Sequence, residues 1–279
     1  MIEIRTMKRI DIEFALELTD REEWGHLKRD FQRFLRLDPE SCFVVWDADL
    51  PLGIATTISY DDYAFLGNVI VRKEMRGRGI GPMLMEHALA FLDNKGVRTV
   101  ELDGVFAAVP VYRMLGFKDK YLSLRFLRKA TAESAIATDR RLEVARSVRE
   151  IMIFDHEKTS IERSAMLREL AKDYARTIYC LRKKKPYAYA VVKKRADGSS
   201  HIGPLVADDR SACEKMVKLI VAGHQKNTLS IGVPEINRAA SRIMRDCGFE
   251  YRLPSLRMYR GLKKDYERYV YGIVSADVG

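Results

Sequence analysis

Arg76-Gly77-Arg78-Gly79-Ile80-Gly81 is the run of residues in this chain best suited to chemistry. Glycine lets a backbone turn sharply and lie close to a ligand, because it has no Cβ to clash. Arginine brings a permanent positive charge in a planar fork that matches phosphate oxygens. A helix that starts just after such a turn adds unpaired peptide N–H groups and the positive end of its dipole, so the three features together suit a phosphate group. A second chemical residue lies downstream. Tyr112 stands four residues before Gly116-Phe117, and its phenol can hold or release a proton.

The flanking residues place the basic turn. Val69, Ile70 and Val71 are consecutive and β-branched, as in a strand covered on both faces. A helix is expected from about Ile80 to Asn94, with Ile80, Leu84, Ala88, Phe91 and Leu92 along one side. Gly77-x-Gly79-x-Gly81 is not the dinucleotide fingerprint, and no Gly-Lys-Ser/Thr follows that would make it a Walker A loop. Taken alone, it would read as an arginine-capped surface turn. Together with its strand and helix, Arg76-x-x-Gly79-x-Gly81, approached through Val71-x-x-Glu74-x-Arg76, resembles the coenzyme A loop of the GNAT superfamily of N-acetyltransferases. Tyr112-x-x-x-Gly116-Phe117 resembles that superfamily's Tyr-x-x-x-Gly-Phe signature, and the likeness covers residues 1 to about 128.

The resemblance implies a set of roles. Main-chain N–H groups from Arg76, Gly77, Arg78, Gly79, Ile80 and Gly81 would take the pyrophosphate of acetyl-CoA. Val69, Ile70 and Val71 would run beside the pantetheine, in a gap between splayed strands 65–71 and 97–102. An N–H near Val69 would receive the oxyanion, and Tyr112 would protonate the departing thiolate. A phenol of pKa about 10 is a weaker acid than a thiol of pKa about 8.5, so positioning must supply the advantage. One residue departs from the pattern: relatives often carry Asn seven residues before the tyrosine, and this chain has Val105. The base is not identified by sequence. Glu23, Asp30, Asp61, Asp62 and Asp103 are the candidates, with Asp103 at the C-terminal end of a central strand, where α/β sites gather. Ordered water is the other route. Trp24 and Tyr60 are candidates to line an acceptor pocket, although large apolar groups more often fill the core.

The totals bound the class. The 279 residues, 47% hydrophobic and 32% charged, suit two folded domains. A formal charge of +10 draws polyanions, coenzyme A or nucleic acid among them, and equally describes a solvated basic surface. Cys42, Cys180, Cys213 and Cys247 form no CxxC pair and read as buried thiols. His26, His87, His156, His201 and His224 show no metal spacing, so no metal is expected. With neither an apolar leader nor a membrane-length apolar run, the expected location is the cytoplasm.

In chain order, an α/β GNAT fold is expected over residues 1–129: a mixed, largely antiparallel central sheet flanked by helices. Thr19 with Glu22 reads as a capping box opening a helix to about Leu37. A linker is expected over 130–147, and a smaller GNAT-like α/β domain over 148–279, with a helix from Ser160 to Cys180 and another from Pro234 to Cys247. Strand, short helix, Gly-Phe and strand recur around Gly116-Phe117 and Gly248-Phe249, but no counterpart of Arg76 to Gly81 appears in the second half. That half would wall an acceptor pocket or form a homodimer contact. The leading reading is an acetyl-CoA-dependent N-acetyltransferase acting on a primary amine in a ternary complex. The alternatives are a non-catalytic nucleic-acid-binding module and an acyl-CoA sensor on the same scaffold.

Overall fold

The structure, a computed structural model, describes residues 2–131 and 142–279. Much of the expected linker, residues 132–141, therefore lies outside the described residues. The chain forms two compact units. The first comprises Met1–Asp119, Met258–Lys263 and Asp277–Gly279; the second comprises Lys120–Arg257 and Lys264–Ala276.

In the first unit β1 (Ile2–Thr6) is followed by α1 (Ile12–Arg21) and α2 (Lys28–Leu37). A meander then runs through β2 (Cys42–Asp47), β3 (Leu50–Tyr60) and β4 (Tyr63–Val71), and the unit continues with α3 (Ile80–Asn94), β5 (Thr99–Gly104) and α4 (Val109–Met114). The sheet order is β1-β2-β3-β4-β5. The first three pairings are antiparallel and β4–β5 is parallel, as a helical crossover requires. Ile80, Leu84, Ala88 and Leu92 of α3 are buried, the stripe expected from their spacing.

One expected element is corrected. No helix starts at Thr19: it lies inside α1, is fully buried, and donates its hydroxyl to the Leu16 carbonyl. The chain leaves α1 through Glu23 (φ 56°) and Gly25 (φ 66°), backbone conformations that no α-helix contains, and α2 starts only at Lys28. Asp30 then serves α2, accepting from the Leu27 N–H and pairing with Arg33.

The second unit holds most of β6 (Lys118–Arg128), then α5 (Val148–Thr159) and α6 (Ser164–Tyr174). It continues with β7 (Ile178–Arg182), β8 (Pro186–Lys194), β9 (Ser200–Ala207), α7 (Arg210–Gly223), β10 (Leu229–Pro234), α8 (Arg238–Asp246), β11 (Glu250–Gly261) and β12 (Val270–Gly272). Two helices, a three-strand meander, a helix, a strand, a short helix and a strand thus repeat the order of the first unit. The helix expected to reach Cys180 ends at Tyr174, and Cys180 lies in β7. Ser147, Asp209 and Asn237 cap α5, α7 and α8, accepting from the N–H groups of Glu150, Ala212 and Ala240. A cap of this kind contributes about 1 kcal/mol.

Candidate active site

In the first unit, β4 and β5 begin as neighbours and then part. Their pairing runs from Tyr63↔Thr99 to Phe65↔Glu101 and no further, although β4 continues to Val71 and β5 to Gly104. Beyond Phe65 the inner edge of β4 has no β5 partner. On the other side of β4 the ladder steps from Thr56↔Gly67 to Ile54↔Ile70, so Asn68 and Val69 together face Ala55. This is a β-bulge, which leaves a peptide group outside the ladder and bends the strand. Asn68 adopts φ 50°, and its side-chain amide donates to the Thr56 hydroxyl at 3.0 Å, fixing the bulge. Val69 therefore presents backbone at the parted edge.

The basic turn follows β4 directly. A 3₁₀ turn at Lys73–Met75 leads to Gly77 (φ 77°) and Gly79 (φ 78°), and Gly79 caps α3 from the left-handed region. A Cβ at either position would meet no atom within 4 Å. Space is therefore not what glycine supplies here; the left-handed backbone is. The first N–H groups of α3, those of Ile80 and Gly81 among them, have no carbonyl one turn earlier to bond. Arg76 is committed locally: its Nε donates to the Val71 carbonyl at 3.0 Å and it pairs with Glu22. Arg78 is exposed and has no ion-pair partner among the described residues. The turn thus offers backbone donors and one uncommitted guanidinium at the end of β4.

Tyr112 sits at the matching end of β5. A Cβ on Gly104, the last residue of β5, would lie 2.7 Å from the Tyr112 ring, so the ring packs on bare backbone at the strand's end. Phe117 meets the same ring edge-on at 6.2 Å. The hydroxyl has no hydrogen-bond partner among the described residues. Burial pushes the phenol up to about 12, because the apolar surroundings disfavour the charged form. Val105, where relatives often carry Asn, is extended and half exposed.

The acidic candidates separate by position. Asp61 and Asp62 lie at the β3–β4 turn, at the opposite end of β4 from Gly77, roughly 26 Å away along the strand. Asp62 pairs there with Arg98. Tyr60, at that same end, is buried and donates its hydroxyl to the Val278 carbonyl, which makes it a core residue. Asp30 is occupied at α2. Asp103 lies at the C-terminal end of β5, beside Gly104, and Glu23 is exposed next to Glu22, the partner of Arg76.

Sequence reasoning missed one arrangement. Within the first unit the Asp277 carboxylate meets His26 Nε2 at 3.2 Å, both side chains nearly buried. The Asp277 carbonyl lies so close to Gly67 that a Cβ there would be 2.3 Å from it. Gly67 belongs to the parted stretch of β4, so Asp277 and the connection between α1 and α2 cover that stretch on one face. Trp24 lies in this connection, its ring 6.3 Å from that of His26. A glycine at 67 was the sole sequence signal.

The thiols are marked by burial, not activation. Cys42, Cys180 and Cys213 are buried, and desolvation raises Cys42 to about 12 and Cys180 to about 11. Such thiols stay protonated and are poor nucleophiles. Among the described residues no group of His, Cys, Asp and Glu side chains is arranged to hold a metal ion, and no helix is long and apolar enough to cross a membrane.

The corresponding place in the second unit is built differently. The turn from β9 into α7 is Asp208-Asp209, acidic where the first unit is basic. β9 and β10 also pair in parallel only from Leu229↔Ser200 to Ile231↔Ile202, and beyond that point β12 fills the gap. It pairs with β9 at Val206 and Leu205, and Ile273 N–H bonds the Gly232 carbonyl at 2.9 Å. Gly203 and Gly232 make room, since a Cβ on either would come within 2.8 Å of Ile273. Met244, four residues before Gly248-Phe249, replaces the tyrosine and is fully buried.

Comparison with known proteins agrees with this doubled architecture. Residues 9–117 match the Acetyltransferase (GNAT) family, and residues 151–272 match a second family described as Acetyltransferase (GNAT) domain. The chain belongs to the GNAT superfamily and carries two of its domains in tandem. It is 24% identical over 261 residues to the holothin acyltransferase of Pseudoalteromonas sp. (strain SANK 73390), covering 92% of this chain and 88% of that protein. Among solved structures, a putative acetyltransferase from Pyrococcus horikoshii is similar at TM-score 0.84 and 23% identity, covering 100% of this chain and 96% of that one. A GCN5-related N-acetyltransferase from Sphaerobacter thermophilus is similar at TM-score 0.66 and 13% identity, covering 93% of this chain and 95% of that one. The protein is an acyltransferase.

Proposed function

We propose that the first unit transfers an acetyl group from acetyl-CoA to a primary amine by direct attack in a ternary complex. The parting of β4 from β5 carries this reading: it opens a backbone-lined slot with the basic turn at the end of one strand and Tyr112 at the end of the other. In this reading the N–H groups from Gly77 to Gly81 hold the pyrophosphate, with Arg78 adding charge; the Arg76 N–H, expected among them, is instead bonded to the Lys73 carbonyl at 3.4 Å. Val69 and Val71 bond the pantetheine amides along the open edge, with Ile70 between them. The N–H freed by the bulge at Val69 stabilises the carbonyl oxygen as the amine attacks, the kind of aimed donor that lowers such barriers most.

Tyr112 then gives its proton to the leaving sulfur. Asp103, or water ordered at the same strand end, takes the proton lost by nitrogen. A carbon–nitrogen bond forms, the carbon–sulfur bond breaks, and the amide and the free thiol leave. The buried, protonated cysteines favour direct attack over an acyl-cysteine intermediate.

A screen of primary amines, holothin included because of the acyltransferase likeness, tests the reading by following free thiol released from acetyl-CoA. Amine-dependent release that Tyr112→Phe abolishes supports it. Tight acetyl-CoA binding with no release across the screen would favour the sensor reading, and absence of both would remove the assignment.

A further inference from the structure

The second unit has an open groove of its own, about 470 Å³, lined by Leu122, Leu124, Glu235, Arg238, Ser241, Arg242, Arg245 and Tyr251. Its volume falls in the range of small-ligand sites. Three of these residues are arginines on α8, at positions i, i+4 and i+7, and all three are exposed. Their spacing puts the guanidinium groups along one helix face over roughly 10 Å.

That face breaks two local rules. Like charges at i,i+4 and i,i+3 weaken a helix, and a cation in the first turn opposes the dipole. Arg238 is the first residue of α8, yet none of Arg238, Arg242 and Arg245 has an ion-pair partner among the described residues. The nearby carboxylates do not compensate: Glu235 accepts from the Leu122 N–H, and Asp246 makes no ion pair among the described residues. Ser241 lies on the same face, is buried, and its hydroxyl has no hydrogen-bond partner among the described residues. Arg245, in the last turn, is favoured by the dipole, so the cost falls on Arg238 and Arg242, and local rules broken in this way are expected at functional sites.

The opposite side of the groove is apolar. Leu122 and Leu124 of β6 form it together with the half-exposed ring of Tyr251, which Phe126 braces edge-on at 5.9 Å. A row of guanidinium forks facing an aromatic ring suits a ligand with phosphate groups at one side and a planar base at the other. We propose that this groove binds a nucleoside polyphosphate moiety, phosphates on Arg238, Arg242 and Arg245 and the base against Tyr251. The shared chemistry, anionic phosphate oxygens beside a planar base, occurs in a free nucleotide and, with its phosphates spread as diesters, in a single strand of nucleic acid. The inference stands independently of the acetyl-transfer reading, because the groove lies wholly within the second unit.

The test uses the full chain carrying Gly79→Val, so that the first unit's turn is disabled without adding coenzyme A, whose own ADP moiety would compete for the groove. ADP, inorganic pyrophosphate and a ten-residue oligouridylate are titrated by calorimetry. Binding of ADP that weakens at least tenfold in Arg242→Glu and in Arg245→Glu is expected. Tyr251→Ala is expected to weaken ADP but leave pyrophosphate unchanged. Both variant types alter exposed side chains, and an unchanged Tm and circular dichroism spectrum report an intact fold. Oligouridylate binding far tighter than ADP, with steep salt dependence, assigns the strand as the source; equal affinities assign the free nucleotide. No binding of any probe to the wild-type chain, or ADP binding indifferent to both arginine reversals, overturns the proposal.

Discussion

Tyr112 owes its position to an atom that is missing. Its ring occupies the space a Cβ on Gly104 would need, 2.7 Å away. Gly104→Ala is therefore expected to displace the ring and lower kcat with little change in coenzyme affinity; kcat and KM measured separately check this, and an unaltered kcat would show that the ring's placement is immaterial. Tyr112→Phe should lower kcat by about 100-fold or more, the range of a lost general acid. The phenol's pKa near 12 fixes the pH behaviour. Because the unfolded phenol ionises near 10, its burial supports the fold fully below pH 10, and that support is lost as pH rises toward 12. The pH profile of kcat/KM should accordingly show no alkaline limb that disappears in Tyr112→Phe below pH 11.

Tyr112 was legible in the sequence because its signal, the following Gly-Phe, is local. Gly104 was not, and neither was the contact of Asp277 with His26, which joins residues 251 apart. Nothing in the neighbourhood of either partner announces so distant a contact.

At the scale of elements, the basic turn is defined by its backbone shape and one uncommitted charge. Arg76 holds the turn to the end of β4 through the Val71 carbonyl, while Arg78 faces solvent. Arg78→Glu should weaken acetyl-CoA binding by about tenfold while leaving Tm within a degree or so, since exposed substitutions rarely move stability by more than ~0.5 kcal/mol. In the second unit, Asp209→Ala removes the cap of α7 and should cost about 1 kcal/mol in urea unfolding. The strand–turn–helix around Gly77 could be read in advance because β-branched residues, glycines and a helical stripe follow one another without ambiguity. The break between α1 and α2 could not. The apolar residues Trp24, Leu27 and Phe31 keep a helical spacing across it, whereas Glu23 and Gly25 hold a backbone that only the folded chain reveals. β7 was hidden for a similar reason: its residues Ile178 to Leu181 extend the apolar pattern of α6, and only their pairing with β8 makes them a strand.

Across the whole chain, two domains of one superfamily have diverged at one place. Both units part the same pair of parallel strands. The first leaves the gap lined with backbone and ends it in a basic turn. The second fills the gap with β12 and ends it in Asp208-Asp209. The loss of the basic turn was visible in the sequence. The filling strand was not, because Val270–Gly272 is too short to carry a strand pattern and owes its place to Gly203 and Gly232.

Titration of the purified chain with acetyl-CoA by calorimetry, alongside Gly79→Val, tests the central claim most directly. The predicted result is one tightly bound equivalent that is weakened at least tenfold in Gly79→Val, because a β-branched residue resists the left-handed conformation at φ 78°. No binding, or binding indifferent to that substitution, would contradict it.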